Sequence, residues 1–379
     1  MQRNVVIAGY VRSPFHFAHK GALTKVRPDE LAAQVVRGLV EKTGIDPAAV
    51  EDLIVGCAFP EGEQGLNVAR LIGFLADLPI SVAGMTVNRF CGSSMQAMHI
   101  AAGAIQMDAG EAFICAGVES MSRVPMAGFN PMLHPGLAER MPAAYISMGE
   151  TAENVAAKYK IDRKRQDAFA VESHRRAAAA QKAGKLGDEI VAIRQGNHSV
   201  DADGCIRADT DAAALAGLKP AFKTDGSVTA GTSSPLTDGA SAVLVTTEDF
   251  AKSHGLTPLA RIRSSAVAGC GPEVMGIGPV LATLKALARA KLDVADIDIV
   301  ELNEAFAAQS LACIDELKLD PAKINIDGGA IALGHPLGAT GARIAGKAAA
   351  LLKREGKSLA LATQCIGGGQ GIATVLEAA

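Results

Sequence analysis

Apolar residues along the chain fall into runs of two kinds, and their alternation sets the expected architecture. Asn4–Tyr10 is a continuous apolar stretch that predicts a buried strand. Pro28–Thr43 places Leu31, Val35, Val36, Leu39 and Val40 on one face of an amphipathic helix. A short helical turn after Ile45–Asp46–Pro47 leads into a strand at Asp52–Cys57, and Asn67–Ala76 reads as a helix closed by Leu78–Pro79. The apolar run Ser81–Val87 is broken by Asn88 and Arg89; a tight Cys91–Gly92–Ser93–Ser94 turn then opens an Ala- and Met-rich helix from about Met95 to Met107. Ala112–Ala116 is the next strand, running into Gly117–Val118–Glu119–Ser120. Strands alternating with helices predict a parallel sheet covered on both faces.

The texture changes at Met121. Met, Pro, His and Gly crowd residues 122–142, the predicted helices Glu150–Lys158 and Arg163–Ala183 are charged on one face, and Asn197–Asp211 is polar and Asp-rich. Residues 119–237 read as an inserted, mainly helical region that covers the sheet domain and forms no sheet of its own. The sheet pattern returns at Ala242–Thr246 and Ala260–Ala268, followed by a helix at Gly278–Ala290 and a strand at Asp296–Leu302. An internal echo links the halves: Ile45–Val55 resembles Leu292–Val300, and each copy precedes a Gly-rich turn into a helix by about 45 residues. One turn carries Cys91, the other His335, so the pattern predicts a pseudo-twofold plan with one reactive side chain from each half.

Composition narrows the class. A net charge of -3 and a pI near 6.3 give no whole-chain attraction to nucleic acid or anionic membrane. The seven cysteines form no C-x-x-C pair, which argues for a reduced protein without a disulfide framework or zinc site. No apolar run reaches membrane-spanning length, and the first strand begins too early to leave room for a leader, so cytoplasm is the expected location.

Four segments can carry chemistry. Cys91 sits where a strand turns into a helix; first-turn N–H groups and the helix dipole there predict a lowered thiol pKa, with Ser93 and Ser94 available as caps and Gly92 allowing close approach. The alternative is a buried cysteine acting as a small hydrophobe. His335, fixed between Gly334 and Pro336 in a Gly-rich stretch, is the candidate base for that thiol; His99 reads as a helix-face residue. Cys365 ends a strand before another Gly-rich turn, where Gly367 and its neighbours free backbone N–H groups for an oxyanion. Asn303, after the strand Val300–Leu302, either holds a water or caps a helix. Neither a P-loop nor a dinucleotide fingerprint is present, which counts against a nucleotide-dependent oxidoreductase.

Taken together, the Cys–Gly–Ser–Ser, Asn–Glu–Ala–Phe, Gly–His–Pro and Cys–Ile–Gly–Gly–Gly elements, with Gly231–Ser234 followed by Asp238–Gly239, resemble the thiolases over essentially the whole chain. The resemblance implies an α/β fold with a five-layered αβαβα core from two similar halves (1–118 with 238–262, and 263–379) and a loop domain, 119–237, covering the active site and binding CoA. It implies that Cys91 attacks the keto carbon of a 3-oxoacyl-CoA and that His335 activates it. Cys365 then protonates the departing acetyl-CoA carbanion and deprotonates the incoming CoA. His335 with a water on Asn303 would form one oxyanion site, and the N–H groups of Cys91 and Gly367 the second.

By the same resemblance Ala230 and Ser234 contact pantetheine, Arg207 contacts the nucleotide end of CoA, Met148 and Phe306 wall the acyl pocket, and Met275 joins the substrate-binding set. Ser147 departs from the pattern, standing where many short-chain relatives carry His. The short 122–148 segment resembles degradative 3-ketoacyl-CoA thiolases more than biosynthetic acetoacetyl-CoA thiolases, whose condensation chemistry is the alternative; a non-catalytic CoA or lipid carrier is a remoter one. CoA is expected as a substrate, with no permanent cofactor and no metal. A homodimer or homotetramer, with a hydratase/dehydrogenase subunit as a further partner, is compatible with the resemblance.

Overall fold

Two copies of one strand order build the molecule, whose computed structural model describes residues 3–379. The first two residues of the expected N-terminal half therefore lie outside the description. In chain order the first half runs β1 (Val5–Arg12), β2 (His16–Phe17), α1 (Pro28–Thr43), β3 (Asp52–Gly56), α2 (Val68–Leu75), β4 (Ala83–Val87), α3 (Ser93–Gln106) and β5 (Ala112–Ser120). An intervening region supplies α4 (Pro135–Arg140), α5 (Met148–Lys158), α6 (Arg163–Lys182), β6 (Ile193–Gln195), β7 (His198–Val200) and α7 (Ala212–Ala216). Next come β8 (Thr237–Thr247), α8 (Glu248–Ser253), β9 (Ala260–Gly269), α9 (Gly278–Ala290), β10 (Ile299–Leu302) and α10 (Ala307–Leu317). The chain closes with α11 (Ala330–Leu333), α12 (Thr340–Glu355), β11 (Leu359–Ile366) and β12 (Gln370–Ala378).

The first half has the sheet order β1-β8-β5-β3-β4. The second repeats it as β9-β12-β11-β10 and completes it with a single bridge from Val300 to Ile324. The echo between Ile45–Val55 and Leu292–Val300 thus falls on equivalent strands, β3 and β10, each preceded by a short 3-10 turn. Helices α3 and α12 are likewise equivalent. Pro at the first position of α1 and Gly44 in the left-handed region just beyond it give that helix its predicted bounds.

Five layers result. Helices α1 and α2 pack on one face of the first-half strands and bury Leu31, Val35, Val36 and Leu39 against them. In the centre, α3 and α12 lie between the two sets of strands, with Met95, Met98, Ile344 and Leu352 in their shared core. On the far side α9 and α10 cover the second-half strands. Full burial of each large side chain contributes about 1.5–3 kcal/mol. The two sets of strands are also joined, because Val6 and Ile7 of β1 pair with Arg261 and Ala260 of β9. The ladder is continuous and folds around the central helices.

The inserted region differs in one respect from the reading of its sequence. It contains a small sheet, the β6–β7 hairpin, turned at Gly196 with φ +57°. The boundaries expected at 118/119, 237/238 and 262/263 fall inside β5, β8 and β9.

Buried charge ties the regions together. Arg12, with no exposed surface, grips Asp203 through two bonds of 2.6 and 2.8 Å and Glu189 through Nε at 2.8 Å. Lys347 of α12 bonds Glu189 at 2.9 Å and Asp327 at 2.7 Å, while Arg343 bonds Glu301 at 2.9 Å. These contacts join strand, insertion and central helix, and removing one partner leaves an uncompensated buried charge costing about 3–5 kcal/mol.

Close backbone approach positions the second Gly-rich turn. A Cβ on Gly117 would lie 2.7 Å from Cα of Ala339, and one on Gly338 would lie 2.7 Å from the Gly56 carbonyl. Gly117→Val is therefore expected to lower the unfolding temperature by several degrees, since overpacking costs typically 1–3 kcal/mol; an unchanged melting curve would contradict the contact.

Glu301 sets a pH dependence. Burial raises its carboxyl to about 7, with the Arg343 guanidinium lowering it only in part. Between the ordinary carboxylate range and pH 7 the folded chain keeps a proton that the unfolded chain has released. The contribution of Glu301 therefore falls as pH rises through that window. Glu189 and Asp327, whose carboxyls are lowered despite burial by Lys347 and their arginine partners, act in the opposite sense at more acidic pH. Glu301→Gln should flatten the decline in stability between about pH 5 and 7 by on the order of 2 kcal/mol, read from urea unfolding across that range.

Candidate active site

Strand ends of both halves meet where the two Gly-rich turns come together. Cys91 lies between β4 and α3, just after Phe90, which holds φ +43° in a region costly for a side chain of that size. The turn is pinned locally. Ser93 Oγ accepts from the Arg89 N–H at 2.8 Å and donates to the Phe90 carbonyl at 2.6 Å, and Ser94 Oγ accepts from the Ala342 N–H at 2.8 Å. The serines therefore brace the Cys91 turn and the start of α12 and do not cap α3, whose N-cap is Gly92. The close approach that Gly92 allows is taken by the Ile366 side chain.

Residues 364–367 wrap this turn from the other half. Gln364 Nε2 donates to the Cys91 carbonyl, and the N–H groups of Gly367 and of Cys91 itself face the Cys91 sulfur. The thiols of Cys91 and Cys365 are near enough that a charge on one opposes a charge on the other. Cys365 is buried, and burial, followed by Cys91, pushes its thiol up.

The lowered Cys91 pKa expected from its place near a helix start is not found. Burial pushes the thiol up to about 12, and the Glu119 carboxylate adds to it; the Gly367 and Cys91 N–H groups work against this without overcoming it. Cys91 packs, partly buried, against the apolar cluster of Ala18, Ala58, Met121 and Leu337, and the cost of desolvating a thiolate outweighs the helix-end donors.

His335 follows Gly334, whose φ of +107° only glycine adopts comfortably, and its backbone N–H donates to Thr237 Oγ1 at 3.0 Å. Its ring is buried, with Nδ1 2.6 Å from Thr340 Oγ1 and Nε2 3.4 Å from Asn303 Nδ2. Thr340 Oγ1 donates its own hydrogen to the Pro336 carbonyl at 3.1 Å. It must then accept from the ring, which puts the ring proton on Nδ1 and a lone pair on Nε2. Burial, helped by Arg343, lowers His335 to about 3, so the imidazole is neutral at pH 7.

Asn303 is not a helix cap, because α10 begins only at Ala307 with Phe306 at its N-cap. Its Oδ1 is buried without a protein partner among the described residues. Beside it, Met148, Met275, Phe306 and Cys365 share one apolar cluster with Ala152 and Val228, and Phe222 meets Phe306 edge-on with centroids 5.9 Å apart. Ser234 joins this wall, its N–H and Oγ both donating to the Ala305 carbonyl at 2.9 and 3.1 Å. Ala230 opens the short helical turn just before it. Ser147 caps α5 in a reciprocal box with Glu150.

Arg207 is set apart from these residues. It is exposed, its backbone N–H donates to His174 Nδ1 at 3.2 Å, and its guanidinium lies 6.0 Å from the Phe17 ring centre. His99, on the central helix α3, bonds Thr374 Oγ1 at 2.8 Å.

Several supporting residues were not singled out from the sequence. The buried Glu119 carboxylate accepts from the N–H groups of Ala58, Phe59 and Gly338 and from Gln64 Nε2, linking the end of β3 to the His335 turn. Glu304 accepts from Ser173, Asn325 and the Ile331 N–H. Glu119, Gln64 and Thr340 carry no local signal in the sequence.

Comparison with known proteins agrees with this architecture. Residues 5–249 match the family description "Thiolase, N-terminal domain" and residues 256–378 "Thiolase, C-terminal domain". The chain is 50% identical to a Shewanella frigidimarina 3-ketoacyl-CoA thiolase, covering 99% of each chain. Among solved structures it is similar to human mitochondrial 3-ketoacyl-CoA thiolase in complex with CoA, with TM-score 0.92 and 37% identity over 100% of this chain and 98% of that one. It is also similar to Bacillus anthracis acetyl-CoA acetyltransferase, with TM-score 0.91 and 41% identity over 100% and 99%. With two sets of strands in matching order around paired central helices and both family domains spanning its length, the chain belongs to the thiolase family.

Proposed function

We propose that this enzyme cleaves 3-oxoacyl-CoA with CoA, releasing acetyl-CoA and a shortened acyl-CoA, in the degradation of fatty acids. The observation that supports it most is the meeting at Cys91 of a second thiol, Cys365, with the Gly367 N–H and the strand end that carries it. The full-length identity with a 3-ketoacyl-CoA thiolase supports the same substrate class.

In this reading His335 Nε2 takes the Cys91 proton as the sulfur adds to the keto carbon, and the new oxyanion is met by N–H donors. The bond between the second and third carbons then breaks. Its electron pair leaves on the acetyl-CoA fragment, which the Cys365 thiol protonates, and the acyl group stays on Cys91 as a thioester. The Cys365 thiolate deprotonates incoming CoA, whose sulfur takes the acyl group and expels Cys91, which regains its proton from His335. Both partners start neutral, with the thiol near 12 and the imidazole near 3. The proton therefore moves as charge passes onto the substrate oxygen, and no stable ion pair waits in the free enzyme. His335 with a water on Asn303 Oδ1 receives the enolate oxygen.

Residues 119–237 serve as the CoA-binding cover in this reading, with Ala230 and Ser234 toward pantetheine, Arg207 toward the nucleotide, and Met148, Met275 and Phe306 around the acyl chain. The enzyme is read as a cytoplasmic homo-oligomer: all seven cysteines are free, and the outer edge of β4 is unpaired beside exposed Met85, Phe74 and Ile80. A hydratase/dehydrogenase subunit fits the same chemistry as a partner. No helix among the described residues is long and apolar enough to cross a membrane. The second reading, condensation of acetyl-CoA, is favoured by the 41% identity with an acetyl-CoA acetyltransferase.

Intact-mass analysis after incubation with acetoacetyl-CoA, and separately with a long-chain 3-oxoacyl-CoA, should show an acyl adduct on the Cys91 peptide in both cases. Cys91→Ala should give neither adduct nor turnover. An adduct only from the short substrate would select the second reading, and full turnover by Cys91→Ala would end both. Thr340→Val should lower kcat on the order of tenfold or more by releasing the His335 tautomer. KM for CoA should hold and Thr340→Ser should restore the rate; equal rates for Thr340→Val and wild type would remove the tautomer argument.

A further inference from the structure

Helix α12 carries Thr340, the partner of His335, at one end and a second basic site at the other, about 20 Å away along the helix axis. At that far end lies a cavity of about 450 Å³, within the usual size range of small-ligand sites. All three parts of the chain build it: Lys42 from α1, Lys185 from the insertion, and Lys347, Lys353 and Arg354 from α12. None of the groups assigned to the reaction lines it.

Charge in this cavity is unbalanced. Lys347 is used by Glu189 and Asp327, and Arg354 by Asp327 and Glu355. Lys42, Lys185 and Lys353 have no carboxylate partner among the described residues, and the only unpaired carboxylate lining the cavity is Asp188. Lys42 Nζ is turned inward, donating to the backbone carbonyls of Tyr10 and Asp188. Burial holds its ammonium below the ordinary range, a cost that a bound anion would relieve.

Tyr10 supplies an independent observation. It lines the cavity, is only 2% exposed, and its phenol oxygen is buried without a hydrogen-bond partner among the described residues. An unsatisfied buried hydroxyl is costly and calls for an acceptor. With Asp188 set against one of the three free lysines, a single negative charge would still leave one unmatched. A ligand with several charged oxygens can meet the lysines at the rim and the phenol beneath them, and lysine suits phosphate as a point charge.

We propose that this cavity is a second anion site that binds a multiply charged phosphate compound, remote from the reacting sulfur. The ligand is a free pyrophosphate or the diphosphate of a nucleotide, which share the chemistry required here. Calorimetric titration of the full-length protein with pyrophosphate should show saturable binding at one site per chain. The Lys42→Gln/Lys353→Gln double variant should weaken it at least tenfold while its thiolysis rate without pyrophosphate stays that of wild type. Tyr10→Phe, which keeps the ring, should weaken it severalfold. ADP binding as tightly as pyrophosphate would identify the nucleotide source, and ADP excluded would identify the free anion. Absence of saturable binding, wild-type affinity in the double variant, or loss of binding in Arg207→Ala, which would place the ligand in the CoA site, would each overturn the proposal.

Discussion

A single buried carboxylate holds the candidate site in register. Glu119, at the end of β5, receives N–H groups from Ala58 and Phe59 beyond β3 and from Gly338 beyond His335. Three chain segments that share no local sequence are thereby fixed to one side chain. Burial raises its pKa, while the four surrounding donors lower it, and that opposition is what makes the arrangement specific. Gly117 and Gly338 let the same segments touch through backbone, so imidazole and sulfur are held by main-chain contacts instead of flexible side chains.

That frame also explains the electrical character of the site. Burial pushes both the Cys91 thiol and the His335 imidazole toward their uncharged forms. A preformed thiolate would react with many electrophiles. In the proposed mechanism a neutral thiol and a neutral base need a substrate whose carbonyl oxygen can accept the developing charge, which restricts reaction to a carbonyl held against the N–H donors.

Much of this was legible in the sequence, and the reasons differ by element. Helix α1 was bounded correctly because Gly44, adopting the left-handed region, is a local stop signal just beyond its last turn. The internal echo identified β3 and β10 as counterparts because both need the same short turn before the strand. The reactive turns were found through their glycines. The direction of the Cys91 shift was not legible, since it depends on Ala18, Met121 and Leu337 packing against Cys91 from distant parts of the chain. Nor were the roles of Gln64 and Thr340, whose partners are chosen only once the strands are in place. The pairing of Arg12 with Asp203 spans 191 residues and leaves no periodic trace.

The matched strand order of the halves bears on how the molecule can be divided. Cys91 belongs to one copy and His335 to the other, and each copy buries one of the two central helices against its twin. Neither copy alone is complete, since each leaves a helix uncovered where its counterpart should lie. In the proposed mechanism, reactivity is consequently a property of the joint between duplicated units, arising only when that joint closes.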